Sequence, residues 1–289
     1  TTVLVTAVME DKDREVDYLP LAVDYEEKFY AAGKILGSRF IRREGRPSDE
    51  AILSGRLIDR TIRPLFDRRI RRSIQIVSTV LSYDEENDPV FPSLIAASTA
   101  LGISDIPWNG PVAGVGVAWV GGKIVLNPTN GIFKKEKPEF DAFFAGAEDR
   151  INMIELAGDN ANEEEVIKGA EEALVVIREL TDFQNQIIKE IGKPKAELAL
   201  KEASPKLASE VNIFLGGKLE STIYGGESSH YYQKLNELKN GLLEHLRQAG
   251  FEESDIKEAD ALFEEEVEKI VCKNILDSEK RPDGRKLDE

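Results

Sequence analysis

The sequence predicts a layered α+β domain followed by a small all-α domain. Strand-like and helix-like stretches alternate without regular order up to about residue 192, which favours a mixed sheet with packed helices over a repeating βαβ unit. A long capped helix closes that region. From Ala196 to Ser278 no alternating strand pattern of any length occurs, only helical segments such as His230 to Ala249 and Ala259 to Leu276.

The elements follow from local chemistry. Thr1 to Val8 alternates as a strand, Met9 to Asp17 reads as a charged loop, and Tyr18 to Val23 resumes an apolar pattern. Tyr25 to Leu36 holds a short helical or turn segment that runs into a glycine-punctuated loop, Gly33 to Gly37. Ser48 is a helix N-cap with Asp49 and Glu50 in the first turn, and Ile52, Leu53, Leu57, Ile58 and Ile62 keep helical spacing until Pro64. Ile74 to Leu81 is a buried strand, Asp84 to Pro92 a polar turn, and Ser93 to Leu101 a small-residue helix suited to packing on a sheet. Val112 to Val120 and Lys123 to Leu126 form a hairpin about Gly121-Gly122. Phe140 to Gly146 and Asn152 to Ala157 add strands. The long helix begins at Asn162, with Glu165 three residues on, and carries Val166, Ala170, Ala173, Ile177, Leu180, Gln184, Ile187 and Ile191 as its stripe before Gly192 and Pro194 end it.

Charge locates the functional question. The 289 residues carry a formal net charge of −16, yet residues 39 to 72 hold eleven arginines against five acids and no lysine. Guanidinium is planar, permanently charged and able to hold two phosphate oxygens at once, so an arginine-only cluster on an acidic chain points to a directed anion site. Structural ion pairing is an equal alternative on charge alone, because Asp59 and Asp67 lie within the run. Arg56, Arg60 and Arg63 share one helix face.

Other motifs carry bland readings. No apolar run approaches the ~18 residues that span a bilayer, so no membrane role is expected. The single cysteine, Cys272, excludes a disulfide framework and makes a reducing, cytoplasmic compartment the default. Gly114 and Gly116 lie within a strand and read as a tight sheet contact. His230 and His245 have no ligand partner at metal spacing, Ser228-Ser229-His230 reads as a helix cap, and Glu163 to Glu165 and Glu264 to Glu266 read as solvated helix faces. No metal site is predicted in these residues. The strand that opens abruptly at Thr1 and the turn Arg281-Pro282-Asp283-Gly284-Arg285 read as cut ends.

Residue order within the basic run is more specific than its charge. Tyr30-Ala31-Ala32-Gly33-Lys34, Phe40-Ile41-Arg42-Arg43-Glu44-Gly45-Arg46-Pro47-Ser48 and Arg56-Leu57-Ile58-Asp59-Arg60-Thr61-Ile62-Arg63-Pro64-Leu65-Phe66 closely resemble the first RNase PH-like core of the polynucleotide phosphorylase family. Asn109-Gly110-Pro111 and Leu126-Asn127-Pro128-Thr129 fit the same core, and the helical segment resembles the family's inter-core domain. The resemblance implies an RNase PH-like core, of the ribosomal-protein-S5-domain-2-like layered type, over 1–193. An all-α domain over 194–278 and the start of a second core over 279–289 would follow.

It further implies a homotrimeric ring that degrades single-stranded RNA from its 3′ end with inorganic phosphate, in the cytoplasm and within an RNA-degradation complex. The family's channel loop corresponds to Phe40, Ile41, Arg42 and Arg43, preceded by Arg39; Arg46 and Arg56 are the further expected RNA contacts. An aromatic face beside guanidinium groups is the general means of sequence-tolerant single-strand binding. Asp88-Pro89-Val90 stands where active cores hold phosphate on a serine-rich turn. Lys135, Asp141 and Phe143 stand where two aspartates and a lysine surround a divalent metal, so Asp141 is a residual match. Catalysis and its Mg2+ are therefore expected in the second core, with no catalytic residue here. A non-enzymatic, arginine-rich subunit-interface module is the alternative.

Overall fold

The structure, a computed structural model, describes residues 1–35, 45–200, 203–225 and 231–287. Two compact units divide at Leu200 and Lys201.

The first unit is built on two sheets. In one, β1 (Thr2–Asp13) runs antiparallel to β3 (Arg72–Ser82), which pairs in parallel with β2 (Leu21–Glu27), giving the order β1-β3-β2. The parallel pair needs a crossover, and α1 (Asp49–Ile62) lies on it. The second sheet is an antiparallel meander of β4 (Ala113–Val120), β5 (Lys123–Leu126), β6 (Phe140–Ala147) and β7 (Arg150–Gly158) in the order β5-β4-β6-β7. Gly121 and Gly122, both with positive φ, make the tight turn between β4 and β5.

Helices fill the space between and behind the sheets. Ile74, Ile76 and Val80 of β3 meet Ala51, Ile58 and Ile62 of α1 and Leu94, Ala97 and Leu101 of α2 (Val90–Ile103). Phe143 and Ala145 reach the same core from β6. On the opposite face of that sheet Val115, Val117, Phe140, Ala142 and Phe144 pack on Ala173 and Ile177 of α4 (Glu163–Ile191), with the short α3 (Asn130–Lys135) earlier in the chain. Gly114 and Gly116 are the tight sheet contacts expected: a Cβ on Gly114 would collide with the Phe143 ring and Leu94, and one on Gly116 would meet the Phe91 ring at 2.8 Å.

Several local expectations are corrected. β1 does not stop at Val8 but runs to Asp13, because Asp13 pairs with Arg72 across the ladder and the charged side chains face water. The turn after Asp84 is shorter than expected, since the Asp88 carboxylate accepts the Val90 N–H at 2.9 Å and starts α2 there. Asn162 caps α4 through Glu164 N–H rather than through a box with Glu165. Gln184, placed in the apolar stripe of α4, is fully buried as a polar group; its amide donates to Val112 O at 2.9 Å and accepts from the Thr99 hydroxyl at 3.2 Å. Residues 194 to 200 stay with the first unit, where Lys195 Nζ donates to the carbonyls of Leu101, Gly102 and Ser104 at the end of α2.

The second unit is all helical among its described residues. It comprises α5 (Pro205–Leu215), α6 (Lys218–Tyr224), α7 (Tyr231–Gln248) and α8 (Glu253–Ser278). Leu207, Val211, Leu215, Leu219, Leu242, Leu246 and Phe263 form its core. α8 begins earlier than the apolar pattern indicates because Glu252 and Asp255 cap each other's backbone. His245 bonds Glu210 at 2.7 Å, and Cys272 is an exposed thiol.

Candidate nucleic-acid interface

The basic run separates once its partners are visible. Pro47 and Ser48 lead into α1; the Ser48 hydroxyl accepts the Ala51 N–H at 3.0 Å and donates to Glu27 at 2.9 Å, fixing the helix start to the end of β2. Further along, Arg63 grips Asp59 through Nε and Nη2 at 3.0 and 2.7 Å and donates to Leu21 O at 3.0 Å. Arg69 holds Asp67 in a second two-point pair, Arg71 donates to the carbonyls of Arg68 and Ile70, and Arg72 lies 3.5 Å from Asp13. These are structural pairs. Arg46, Arg56 and Arg60 are exposed and make no ion pair or hydrogen bond with any described residue.

Arg46 lines a cleft of about 1040 Å³. One wall is a single 3-10 turn, Phe29–Ala32, closed by Gly33 in the left-handed region and tied to β3 by the Tyr83 N–H bond to Ala31 O. The other wall is the start of α1, with Glu50, Leu53 and Ser54. The end of β2 from Tyr25 to Glu27, with Lys28, Lys34, Asp88 and Asn130, also lines it. Arg56 lines a neighbouring cavity of about 390 Å³ that shares Tyr25, Glu26, Pro47 and Ala51 with the first. Arg39, Phe40, Ile41, Arg42 and Arg43 lie outside the described residues, as do His230 and the serines before it.

The cleft lining mixes carboxylates, Glu26, Glu27, Glu50 and Asp88, with the cations Lys28, Lys34 and Arg46. Loss of solvent pushes the Asp88 carboxyl up from its ordinary value, and Glu50 adds to the rise despite the Val90 hydrogen bond. Asp141 is pushed up in the same way, with the charge of Asp88 adding to it. Burial, then Asp88 and Glu27, push the Tyr25 phenol up as well. Phe143 is buried and stacks on Phe91 with ring centroids 5.6 Å apart, so it belongs to the core, and Lys135 is exposed on α3. Two carboxylates and an apolar ring do not fit a divalent metal, and no group of three or more His, Cys, Asp or Glu side chains among the described residues is placed to hold one.

Sequence reasoning passed over Lys28, Phe29 and Lys34 as site residues. Their signal was present: two adjacent aromatics, Phe29 and Tyr30, between lysines and ending in a glycine turn, with both rings about half exposed in the structure. No helix among the described residues is long and apolar enough to cross a membrane.

Comparison with known proteins places this geometry. Residues 1–107 match the 3′ exoribonuclease family, domain 1, and residues 206–286 match the polyribonucleotide nucleotidyltransferase RNA binding domain. Polyribonucleotide nucleotidyltransferases of Listeria welshimeri, Heliobacterium modesticaldum and Geobacillus kaustophilus are 41%, 40% and 38% identical over the whole of this chain. The chain spans about 40% of the length of each. The crystal structure of rice (Oryza sativa) Rrp46 superposes with a TM-score of 0.52 at 13% identity, covering 65% of this chain and 84% of that one, a likeness of fold alone. The chain thus joins a 3′ exoribonuclease family domain 1 to a polyribonucleotide nucleotidyltransferase RNA binding domain, and along its full length it is similar to proteins of that one name.

Proposed function

We propose that this chain is the RNA-guiding and assembly part of a phosphate-dependent 3′-to-5′ exoribonuclease that releases nucleoside diphosphates, with phosphorolysis in a second core these residues do not contain. The observation that carries the reading is the separation of the arginines. Those after Ile62 are largely spent on internal partners, whereas Arg46 and Arg56 stand open on contiguous cavities. Attack by phosphate on the terminal phosphodiester needs donors and positive charge around the nucleophile. Asp88 supplies a like charge and Pro89 no N–H, which supports chemistry elsewhere. Mg2+ would then be held by the second core, since Asp141 beside Phe143 gives it too few ligands here.

RNA contacts in this reading are Phe40, Ile41, Arg42, Arg43, Arg46, Arg39 and Arg56, on a homotrimer that takes single-stranded RNA and inorganic phosphate and joins an RNA-degradation complex in the cytoplasm. If about four such arginines meet phosphates, log affinity should fall against log salt with a slope of roughly −3. Short-oligonucleotide binding across a salt series, before and after Arg42→Ala/Arg43→Ala, tests it; an unchanged slope and affinity would remove the loop from the interface.

The second reading, a subunit-interface module, is favoured by one feature of α1. Ile52 is 49% exposed one turn before Arg56, which is one turn before Arg60, so an apolar residue and two open guanidiniums share a face. Arg56→Ala/Arg60→Ala should then lower the oligomeric state by light scattering and leave RNA affinity unchanged.

A further inference from the structure

We infer that the edge of the all-α unit where α5 meets α7 is a second contact for single-stranded RNA, with the ammonium groups of Lys206 and Lys218 on its phosphates. It goes beyond the RNA-guiding reading, which concerns the first unit, and rests on that reading for the identity of the ligand. Lys206 lies in the first turn of α5, Lys218 is the first residue of α6, and both are exposed. Their Nζ atoms lie over aromatic rings, 5.1 Å from the centroid of Phe251 and 4.3 Å from that of Phe214, and neither forms an ion pair with a described residue. A ring holds an ammonium through its quadrupole and has no net charge, so each lysine is positioned with its full charge left for an anion. Other lysines of the unit are already engaged. Lys239 pairs with Asp260 at 2.7 Å and Glu264 at 3.0 Å, and Lys269 with Glu265 at 3.0 Å and Glu266 at 2.8 Å. Those two must release carboxylates before they can meet a phosphate.

Lys206 and Lys218 belong to one strip. Lys206, Glu210 and Phe214 recur at four-residue steps and share a face of α5. That face runs antiparallel to α7: Lys206 meets Phe251 just beyond it, Glu210 bonds His245 at 2.7 Å, and the Phe214 ring lies 5.1 Å from the His245 ring and against Gly241. Glu210 is the only carboxylate of α5 and is taken up by His245. Lys206 and Phe214 stand about 12 Å apart along the helix axis, eight residues at ~1.5 Å each. One phosphate does not span that distance, whereas the successive phosphates of an extended strand do. α8 carries nine acids against three lysines, but α5, α6 and α7 together carry five lysines and arginines against four glutamates. A polyanion is therefore repelled from α8 and admitted along the α5 edge.

The test uses the 289-residue chain and a fluorescein-labelled oligoadenylate, with affinity read by anisotropy over a salt series. Lys206→Gln/Lys218→Gln should make the slope of log affinity against log salt shallower by about 1.4, at about 0.7 for each phosphate contact on a single strand, and should weaken binding at about 0.1 M salt by roughly 25-fold. Lys206→Arg/Lys218→Arg keeps the charge and should keep the wild-type slope. Lys269→Gln removes a lysine that is already paired in the same unit and should leave slope and affinity at wild-type values. An unchanged slope in the glutamine pair overturns the inference, and so does an equal loss per charge in Lys269→Gln, which would make the overall charge of the unit the cause. Displacement of the oligoadenylate by polyglutamate at equal charge concentration would assign the strip to acidic peptides and overturn it as well. Comparison with Arg42→Ala/Arg43→Ala separates the two readings. A loss there with none in the lysine pair sinks this inference and leaves the RNA-guiding loop, the reverse removes the loop and keeps the strip, and no binding by the wild type removes both.

Discussion

Arg63→Ala should destabilise the first unit by about 2 kcal/mol, while Arg56→Ala and Arg60→Ala on the same helix face should cost almost nothing. The difference comes from partners. Arg63 Nη2 donates to Leu21 O at 3.0 Å, and Nη1 reaches Leu19 O at 3.4 Å, beside its two-point pair with Asp59. A hydrogen bond from a charged group contributes roughly 1.5–3 kcal/mol, and the low end applies because the Arg63 side chain keeps 39% exposure. The i, i+4 pair with Asp59 adds about 0.3–0.5 kcal/mol after solvent screening. For Arg56 and Arg60, removal of an exposed, unpartnered side chain is offset by the helix propensity of alanine. Urea unfolding followed by tryptophan fluorescence reads the first unit alone, since Trp108 and Trp119 are the only tryptophans and both lie in it. With a slope of about 2 kcal/mol per molar, the Arg63→Ala midpoint should drop by roughly 1 M. Equal midpoints for the three variants would refute the division of the arginines into structural and open sets.

The same fluorescence assay reads two further changes. Asp88 has a folded-state value raised above the ordinary one, so its favourable protonated state persists below the unfolded value and that contribution is lost as pH rises through the folded value. Asp88→Asn keeps an acceptor for Val90 N–H and should raise the urea midpoint near pH 7 but not near pH 3; an equal gain at both would assign the effect to something other than charge. Gly114→Ala drives a methyl into the Phe143 ring and Leu94 and should cost about 1–3 kcal/mol, and a neutral result would mean that β4 can move away from α2.

What the sequence made legible was local. The Ser48 cap and the Gly121-Gly122 turn each depend on neighbours a few residues away, and each is where the pattern puts it. The errors have distant causes. Met9 to Asp13 looks like a loop because its ladder partner begins at Arg72. Gln184 is in the buried stripe as its spacing indicates, but the bonds that satisfy its amide were not legible because its partners Thr99 and Val112 are 85 and 72 residues away. α3 escaped notice because Asn130 is held by Tyr83 and by Glu85 O, and nothing in its own six residues announces a helix. The cleft has the same origin: Tyr25, Phe29, Glu50, Asp88 and Asn130 are assembled from four stretches whose separate patterns point elsewhere.

The arginine window shows why composition alone left its role open. Guanidiniums of identical chemistry divide by the acceptors the fold brings to them: Asp59 one turn back and Leu21 O on β2 for Arg63, Asp13 on β1 for Arg72, and no described side chain for Arg46 and Arg56. A guanidinium already satisfied by carboxylate and carbonyl must lose those bonds to take a phosphate, whereas an open one gives up only water. On the proposed RNA-guiding reading, phosphate contacts belong to the open guanidiniums of Arg46 and Arg56, although most of the arginines lie beyond Arg56. The division of the run therefore follows the acceptors that the fold supplies and not the chemistry of the arginines themselves.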